Sequence, residues 1–217
     1  MKPLFVTATN TNVGKTYTTL KLIESFSKQG ISVGVCKPIE TGVETEPLDA
    51  QALLETVKKY NPNFKNLSPK DITAYTFELP AAPFSADTEQ IIKIQTIKDK
   101  IAELQELCEL LIIEGAGGLM VPITKEYKMI DLAKELNLKT LLVTPSKLGC
   151  INDTLLSMDA LKSHNISFDW CINLFEDKNE FHKVTKPYYD AVFPHWWYLD
   201  EGLEDFKLSI IDKNTPR

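Results

Sequence analysis

Short apolar runs alternate with longer amphipathic segments along most of this chain. The runs occupy residues 4–6, 31–37, 110–114, 140–144 and 171–174. They show almost no polar alternation, which is typical of strands covered on both faces in a parallel sheet. The segments between them predict helices at residues 15–28, 49–60, 94–107, 130–136 and 152–163. This alternation indicates an α/β fold, with a doubly wound, mainly parallel sheet and helices on both faces.

The rest of the chain carries weaker patterns. Residues 61–87 are rich in Pro, Asn and Ser and predict a loop with a little irregular strand, and the tail after Asp200 gives no clear prediction. A length of 217 residues favours one domain over residues 1–217. In such a sheet we expect ligands at the carboxyl ends of the strands.

Charge and cysteine content narrow the possible partners and the compartment. The net charge of −6 argues against nucleic acid as a main partner, although a nucleotide needs only a local positive site. Cys36, Cys108, Cys150 and Cys171 are scattered, which predicts reduced thiols rather than disulfides or a zinc site. No apolar run approaches the roughly 20 residues of a membrane span, and the first strand leaves no room for a signal peptide. We therefore expect a cytoplasmic protein without membrane contact.

A phosphate-binding loop is predicted between the first strand and the first helix. Gly14 lets the backbone turn tightly, Lys15 places a cation between terminal phosphates, and Thr16 offers a hydroxyl to Mg²⁺. The helix that follows points its positive end at the anion. Thr9 stands where the usual motif has its first glycine, so the loop is degenerate. Alone it indicates only a P-loop NTPase-like nucleotide site.

A second cation, Lys37, ends the second strand in the segment KPIETG at residues 37–42. A lone lysine at a strand end is more often solvated than functional. Here it joins Lys15 at the same edge of the sheet. Two lysines that converge on one spot suit an anionic substrate that receives a phosphoryl group.

Two carboxylates are candidate metal ligands. Glu114 ends the third strand and precedes small residues in the segment EGAGG at 114–118. In nucleotide-binding sheets, an acid at the end of this strand reaches Mg²⁺. The small residues after it would let the backbone approach a ligand closely. The alternative is an ordinary turn, since glycine-rich turns after strands are common. Asp49 begins a predicted helix, where its spacing indicates an N-cap and a second metal carboxylate is the alternative.

Other candidates are weaker on their own. Residues 147–152, KLGCIN, join a strand to a helix. Either the free N–H groups at the helix start hold a carboxylate or phosphate, or the segment is an ordinary turn. Asn173 ends the fifth strand and either hydrogen-bonds a base edge or is a turn residue. The histidines show no metal-ligand spacing. The aromatic run at 195–198 suits base stacking, but is more often core or subunit contact.

Together, the loop at 9–16, KPIETG, EGAGG and KLGCIN, in this order, closely resemble the dethiobiotin synthetase family over about residues 5–173. The resemblance implies a homodimer with active sites at the subunit interface. It also implies ATP-dependent closure of a cyclic urea. The diamine 7,8-diaminononanoate takes up CO₂ from bicarbonate as a carbamate, and ATP phosphorylates the carbamate to a mixed anhydride. The second amine then expels phosphate and yields dethiobiotin, the precursor of biotin.

The resemblance also assigns roles to residues. Catalytic roles are implied for Lys37, Lys15 and Thr11. Contacts with ATP and its Mg²⁺ are implied for Asn12, Val13, Gly14, Lys15, Thr16, Tyr17, Asp49, Glu114, Gly115, Ala116, Gly117 and Asn173, with the metal on Thr16, Asp49 and Glu114. Substrate contacts are implied for Thr41, Gly118, Gly149, Cys150, Ile151 and Asn152, the helix start holding a remote carboxylate across the dimer.

The chain departs from the family pattern near the loop. Ala8 replaces a usual glycine, and Asn10 and Asn12 stand where acids are common. A neutral residue at position 12 removes a negative charge close to the substrate amines, which prompts one alternative, a former synthetase kept as a binding protein. The other alternative is a partitioning-type ATPase switch that acts on a macromolecule. Such proteins usually carry a further lysine near the loop start, which residues 8–10 lack.

Overall fold

Six parallel strands form the central sheet of the computed structural model, which describes residues 1–212. The strands of the protein are β1 (Leu4–Ala8), β2 (Val33–Cys36), β3 (Ile39–Thr41), β4 (Tyr75–Phe77), β5 (Leu110–Gly118), β6 (Lys139–Pro145), β7 (Phe168–Asn173) and β8 (Trp197–Tyr198). The order across the main sheet is β2-β5-β1-β6-β7-β8. Residues 213–217 lie outside the described residues. The single domain expected over residues 1–217 therefore stays a prediction.

Helices connect these strands. They are α1 (Lys15–Ser27), α2 (Leu48–Lys58), α3 (Pro83–Ala86), α4 (Ile94–Gln105), α5 (Met129–Glu135), α6 (Cys150–Ser163), α7 (Lys178–Glu180), α8 (Lys186–Val192) and α9 (Leu199–Asp212). Short 3₁₀ turns lie at Pro62–Phe64 and Pro69–Asp71, and a π-helical turn lies at Phe181–Thr185. The five helices and five strands predicted from the periodicity are all present, with ends shifted by a few residues.

The chain changes direction next to β1. It leaves β1 toward β2 at one edge of the sheet, whereas the neighbouring β6 leads to β7 on the other side. With right-handed crossovers, this reversal distributes the helices over both faces, which confirms the doubly wound architecture. Every residue of β1 is buried, and β5 and β6 pair with it on either side. The ends of β1 and β6 therefore flank the crevice where ligands are expected.

The glycine-rich segment after Glu114 is strand, and the prediction that the strand ends at Glu114 was wrong. β5 continues to Gly118, which pairs with Ala8 beyond a register shift in β1. A Cβ on Gly118 would stand 2.9 Å from the carbonyl oxygen of Thr9. The glycine thus permits the two backbones to approach closely at the end of β1.

The sequence pattern missed β3 and the helix of the tail. β3 pairs with β4 in a small parallel sheet, and β4 lies inside residues 61–87, where a loop with a little irregular strand was predicted. The tail forms α9, whose residues Leu199, Phe206 and Ile210 are buried. Their spacing of seven and four residues is a helical signal that the sequence did contain.

In the aromatic run at 195–198, Trp196, Trp197 and Tyr198 are partly buried against the core, whereas His195 is exposed. Trp196 and Tyr198 meet edge to face with ring centroids 5.0 Å apart, and both contact Phe181. Trp197 stacks on Phe206 of α9 at 5.2 Å. These contacts favour the core interpretation over base stacking. Among residues 1–212, no helix is both long and apolar enough to cross a membrane.

Candidate active site

A cavity of about 960 Å³ opens at the carboxyl ends of the strands, between the phosphate loop, β3 and the start of α9. Of the residues predicted for the site, those that line it are Thr11, Asn12, Gly14, Lys15, Thr16, Tyr17, Lys37, Thr41, Asp49, Ala116, Gly117 and Asn173. The sheet thus brings segments that follow the first, second, third and fifth predicted strands to one place. A cavity of this size accommodates a nucleotide together with a small substrate.

The remaining predicted residues lie elsewhere. Val13, Glu114, Gly115 and Gly118 are part of the loop and strand backbone behind the cavity wall rather than of its lining. Gly149, Cys150, Ile151 and Asn152 do not line the cavity either. Gly149 has φ of 92° and precedes α6, beside Leu148, whose exposed fraction is 73%.

The phosphate loop is held by two left-handed residues and one amide. Asn12 has φ of 59° and Gly14 has φ of 98°. A Cβ on Gly14 would stand 2.1 Å from Nδ2 of Asn173, so glycine is required there by the backbone and by packing. Asn173 donates this Nδ2 to the carbonyl oxygen of Val13 at 3.0 Å. Asparagine tolerates the left-handed conformation better than glutamate, which explains in local structural terms why an asparagine stands at position 12.

Lys15 is buried at the base of the loop. Its Nζ donates to the carbonyl oxygen of Asn10 at 3.0 Å. Burial and, next to it, the charge of Lys37 lower the pKa of Lys15 to about 8, although the carboxylates of Glu114 and Asp49 oppose this shift. An anion bound in the loop would compensate this charge.

Lys37 is the centre of a buried ion group. Its Nζ lies 2.6 Å from Oε1 of Glu114 and 3.2 Å from Oδ2 of Asp49. Burial alone would lower the pKa of Lys37, but the two carboxylates outweigh it and raise this pKa to about 12. Lys37 therefore keeps its charge although its side chain is only 4% exposed. The interpretation of Lys37 as a solvated strand-end lysine was wrong.

Glu114 has one oxygen that is satisfied and one that is not. Its Oε1 accepts hydrogen bonds from Lys37 and, at 3.0 Å, from the hydroxyl of Thr16. Its Oε2 is buried and has no hydrogen-bond partner among the residues that the structure describes. Burying an unpartnered carboxylate oxygen is costly, so this atom is suited to bind a cation or a hydrogen-bond donor. With Thr16 and the half-exposed Asp49, it forms a set of hard oxygen donors.

Asp49 does not cap its helix, so the N-cap interpretation was wrong. α2 begins at Leu48 after Pro47, and the backbone N–H groups of Asp49 and Ala50 donate to the two carboxylate oxygens of Glu40, each at 2.9 Å. The side chain of Asp49 is therefore available to Lys37. Glu40 was not assigned a role from the sequence, although an acid in KPIETG and a proline before the helix were available signals.

The cavity rim also contains residues that sequence reasoning missed. Residues 80–83 form part of the wall, and Lys178 and Asp200 line the side nearest the tail. Asp200 accepts a hydrogen bond from the hydroxyl of Tyr17 at 3.1 Å and pairs with Lys21 at 3.1 Å. These contacts fasten the start of α9 to α1. They escaped detection because the tail was given no predicted structure.

The ion group, the loop and the sheet define a class of protein. A loop that ends in Gly14 before a helix, a buried lysine that follows this glycine and an acid on β5 are the parts of a phosphate-loop nucleotide-binding α/β protein. All four cysteines are free. Within residues 1–212, no three His, Cys, Asp or Glu side chains are grouped as a metal cage. A metal here would need oxygens from a nucleotide or from water as well.

Comparisons with known proteins agree with this class and identify the family. A family model described as an AAA domain matches residues 2–172. An ATP-dependent dethiobiotin synthetase of Sulfurovum sp. is 61% identical over 97% of this chain and 100% of its own length. The synthetase of Wolinella succinogenes is 39% identical over 97% of this chain and 99% of its own. The chain belongs to the ATP-dependent dethiobiotin synthetase family, ligases of biotin biosynthesis, with ATP as co-substrate.

A solved structure with a related fold comes from a different kind of protein. A plasmid partition protein of Borrelia burgdorferi superposes with a TM-score of 0.58 at 12% identity, covering 98% of each chain. At this identity the likeness shows the P-loop NTPase-like fold alone. Family membership favours the synthetase over the partitioning-type switch.

Proposed function

We propose that this protein closes 7,8-diaminononanoate and CO₂ to dethiobiotin, with release of ADP and phosphate. The observation that carries the proposal is the convergence of Lys15 and Lys37 on one cavity that also includes Thr41. Two cations and neighbouring hydroxyls suit an anionic carbamate next to the terminal phosphate of ATP. A cavity lined by a phosphate loop at one end leaves room for the diamine at the other.

In the proposed reaction, the protein binds and aligns the substrates and compensates the negative charge of the transferring phosphoryl group. One amine of the diamine adds to CO₂, and the resulting carbamate oxygen takes the terminal phosphoryl group while ADP leaves. The second amine then attacks the carbamate carbon and expels phosphate, which closes the urea ring. Lys15 and Lys37 would align the carbamate and offset the charge on the transferring group, while Thr11 and Thr41 would donate hydrogen bonds to the substrate. Positioning supplies most of the rate.

The oxygen donors beneath the cavity fit Mg²⁺. Thr16, Asp49 and Glu114 provide one hydroxyl and two carboxylates, and the unpartnered Oε2 of Glu114 would gain a ligand. When bound with ATP, Mg²⁺ supplies positive charge to the phosphates. Lys37 would then share both carboxylates with the metal.

Product analysis tests the proposed reaction directly. ADP and dethiobiotin should appear by mass spectrometry only when diamine, bicarbonate, Mg²⁺ and ATP are all present. Omission of each component in turn is the control. ATP hydrolysis that a macromolecule stimulates and the diamine does not affect would instead favour a switch. Diamine binding without any product would indicate a binding protein.

The affinity for ATP should fall at alkaline pH. The pKa of Lys15 is about 8 in the free protein, and bound phosphates favour its charged form. Because binding above this pKa requires uptake of a proton, we expect Kd to rise about eightfold between pH 7.5 and 9. Isothermal titration calorimetry would measure this change. Lys15→Arg stays charged, so its Kd should depend much less on pH, and a flat wild-type profile would contradict the proposed role.

The start of α6 has its proposed role in a homodimer. Gly149, Cys150, Ile151 and Asn152 would hold the remote carboxylate of the diamine bound to the partner subunit, with the exposed Leu148 beside them. Sedimentation should then give twice the monomer mass of 24.5 kDa. A monomer at micromolar concentration would contradict this arrangement.

The free thiols agree with the proposed cytoplasmic location.

A further inference from the structure

The first turn of α2 is capped by a residue from outside the helix. Pro47 occupies the N-cap position, and its side chain has no hydrogen-bond acceptor. The N–H groups in the first turn of a helix lack intrahelical partners and need acceptors from elsewhere. Glu40 of β3 supplies both oxygens, to Asp49 and to Ala50. The helix start is thus attached to a strand that precedes it by several residues.

Burial and the helix dipole both strengthen the hydrogen bonds between Glu40 and the start of α2. Glu40 is 7% exposed, so its two hydrogen bonds are shielded from water. A carboxylate at a helix N-terminus also interacts favourably with the helix dipole. Although burial raises the pKa of Glu40, the two backbone N–H groups oppose this effect.

Asp49 is held at two points by one short segment. Glu40 accepts the hydrogen bond from its backbone N–H, while Lys37, on the same segment, pairs with its side chain at 3.2 Å. The helix start therefore has a defined location relative to the ion group of Lys37 and Glu114. Without Glu40, neither Pro47 nor the helix itself would replace the two acceptors.

We propose that Glu40 is a positioning residue, which orients Asp49 toward the divalent cation of bound ATP by capping α2 from β3. The proposal rests on the proposed function, in which Asp49 is a metal ligand. Glu40 also lines the cavity, but both of its carboxylate oxygens accept hydrogen bonds from the start of α2. In this role it acts through the helix backbone rather than through its own contact with metal or substrate. Residues that orient metal ligands in this way commonly change metal affinity about 10–100-fold when they are replaced.

Glu40→Gln tests this role, because glutamine keeps the shape but only one acceptor oxygen. Mn²⁺ binding in the presence of ADP, measured by electron paramagnetic resonance, is expected to weaken about tenfold. The KM for the diamine should stay within about twofold of wild type. Glu44→Gln is the matched control, since it removes an exposed acid from the same connection and should leave Mn²⁺ binding unchanged.

A rescue variant separates capping from other roles. Pro47→Ser places a hydroxyl at the N-cap, where it can accept from the same turn of α2. In Glu40→Gln, Pro47→Ser, we expect Mn²⁺ affinity to return to within about threefold of wild type, whether or not the single variant remains folded at the assay temperature. A folded double variant that stays tenfold weaker would overturn the capping role.

The remaining outcomes also decide. Unchanged Mn²⁺ affinity in folded Glu40→Gln would overturn the proposal. If, in addition, the KM for the diamine rose, Glu40 would be assigned to contact with the substrate instead. Wild-type protein that binds ATP but no Mn²⁺ with ADP would overturn the metal assignment of Asp49 itself. Because that measurement needs no turnover, it distinguishes failure of the metal site from failure of the proposed reaction.

Discussion

Lys37→Ala is expected to lower kcat by about 10³-fold, the largest effect of any single substitution considered. Lys37 is buried, fully charged and directed at the cavity, so no water or neighbouring side chain would replace its charge near the carbamate. Steady-state assays of dethiobiotin formation would measure the loss. A folded Lys37→Ala protein with near-normal turnover would remove Lys37 from the mechanism.

The same substitution has a cost in stability that must be separated from catalysis. Glu114 is fully buried, and without Lys37 its charge would be uncompensated, at a cost of about 3–5 kcal/mol. The double variant Lys37→Ala, Glu114→Gln removes both charges. It should regain much of the free energy of unfolding in urea without regaining activity. Lys65→Ala, at an exposed lysine, is the control and should change neither quantity.

Glu114→Gln is expected to have the second largest effect, a loss of about 10²-fold in kcat/KM for ATP at limiting Mg²⁺. Glutamine is neutral, so it would neither attract the cation nor compensate Lys37. Its amide would also present a donor next to the donors of Lys37 and Thr16. Mn²⁺ titration with ADP would show whether the loss lies in metal binding.

The controls for this variant use metal concentration and an exposed acid. Raising Mg²⁺ should recover part of the activity of Glu114→Gln, since a weakened site is filled by mass action. Glu126→Gln removes an exposed carboxylate and should behave as wild type. If Glu114→Gln retained wild-type affinity for Mn²⁺, Glu114 would not be a metal ligand, and its role would be confined to the pair with Lys37.

The parts of the fold that depend on local pattern could be predicted. The buried strands, their helices and the phosphate loop each follow from residues that are adjacent or one turn apart. Where the prediction was wrong, neighbours distant in sequence decided the outcome. β5 continues through its glycines because Gly118 can approach Thr9 closely. β3 and β4 are short, and among residues 1–212 they pair with each other in a two-stranded sheet.

The candidate site shows the same division. The residue types at positions 15, 37 and 114 indicated phosphate, anion and metal chemistry, and their order identified the family. Their geometry was not predictable, since Lys37 and Glu114 are 77 residues apart in the chain. Asp49 looked like a helix cap because local spacing favours that role. Its actual freedom to meet Lys37 arises because Glu40 accepts the hydrogen bonds of the helix start.

Hydrophobic periodicity and four short motifs were sufficient for the architecture, the nucleotide loop and the family, because these features are encoded within single segments. Packing was required to show that Lys37 is buried yet charged, that Glu114 keeps one oxygen unpartnered, and that Glu40 holds Asp49 in place. The physical reason is that the burial and charge of a side chain depend on groups from other segments. Those groups become neighbours only when the parallel sheet brings the carboxyl ends of its strands together.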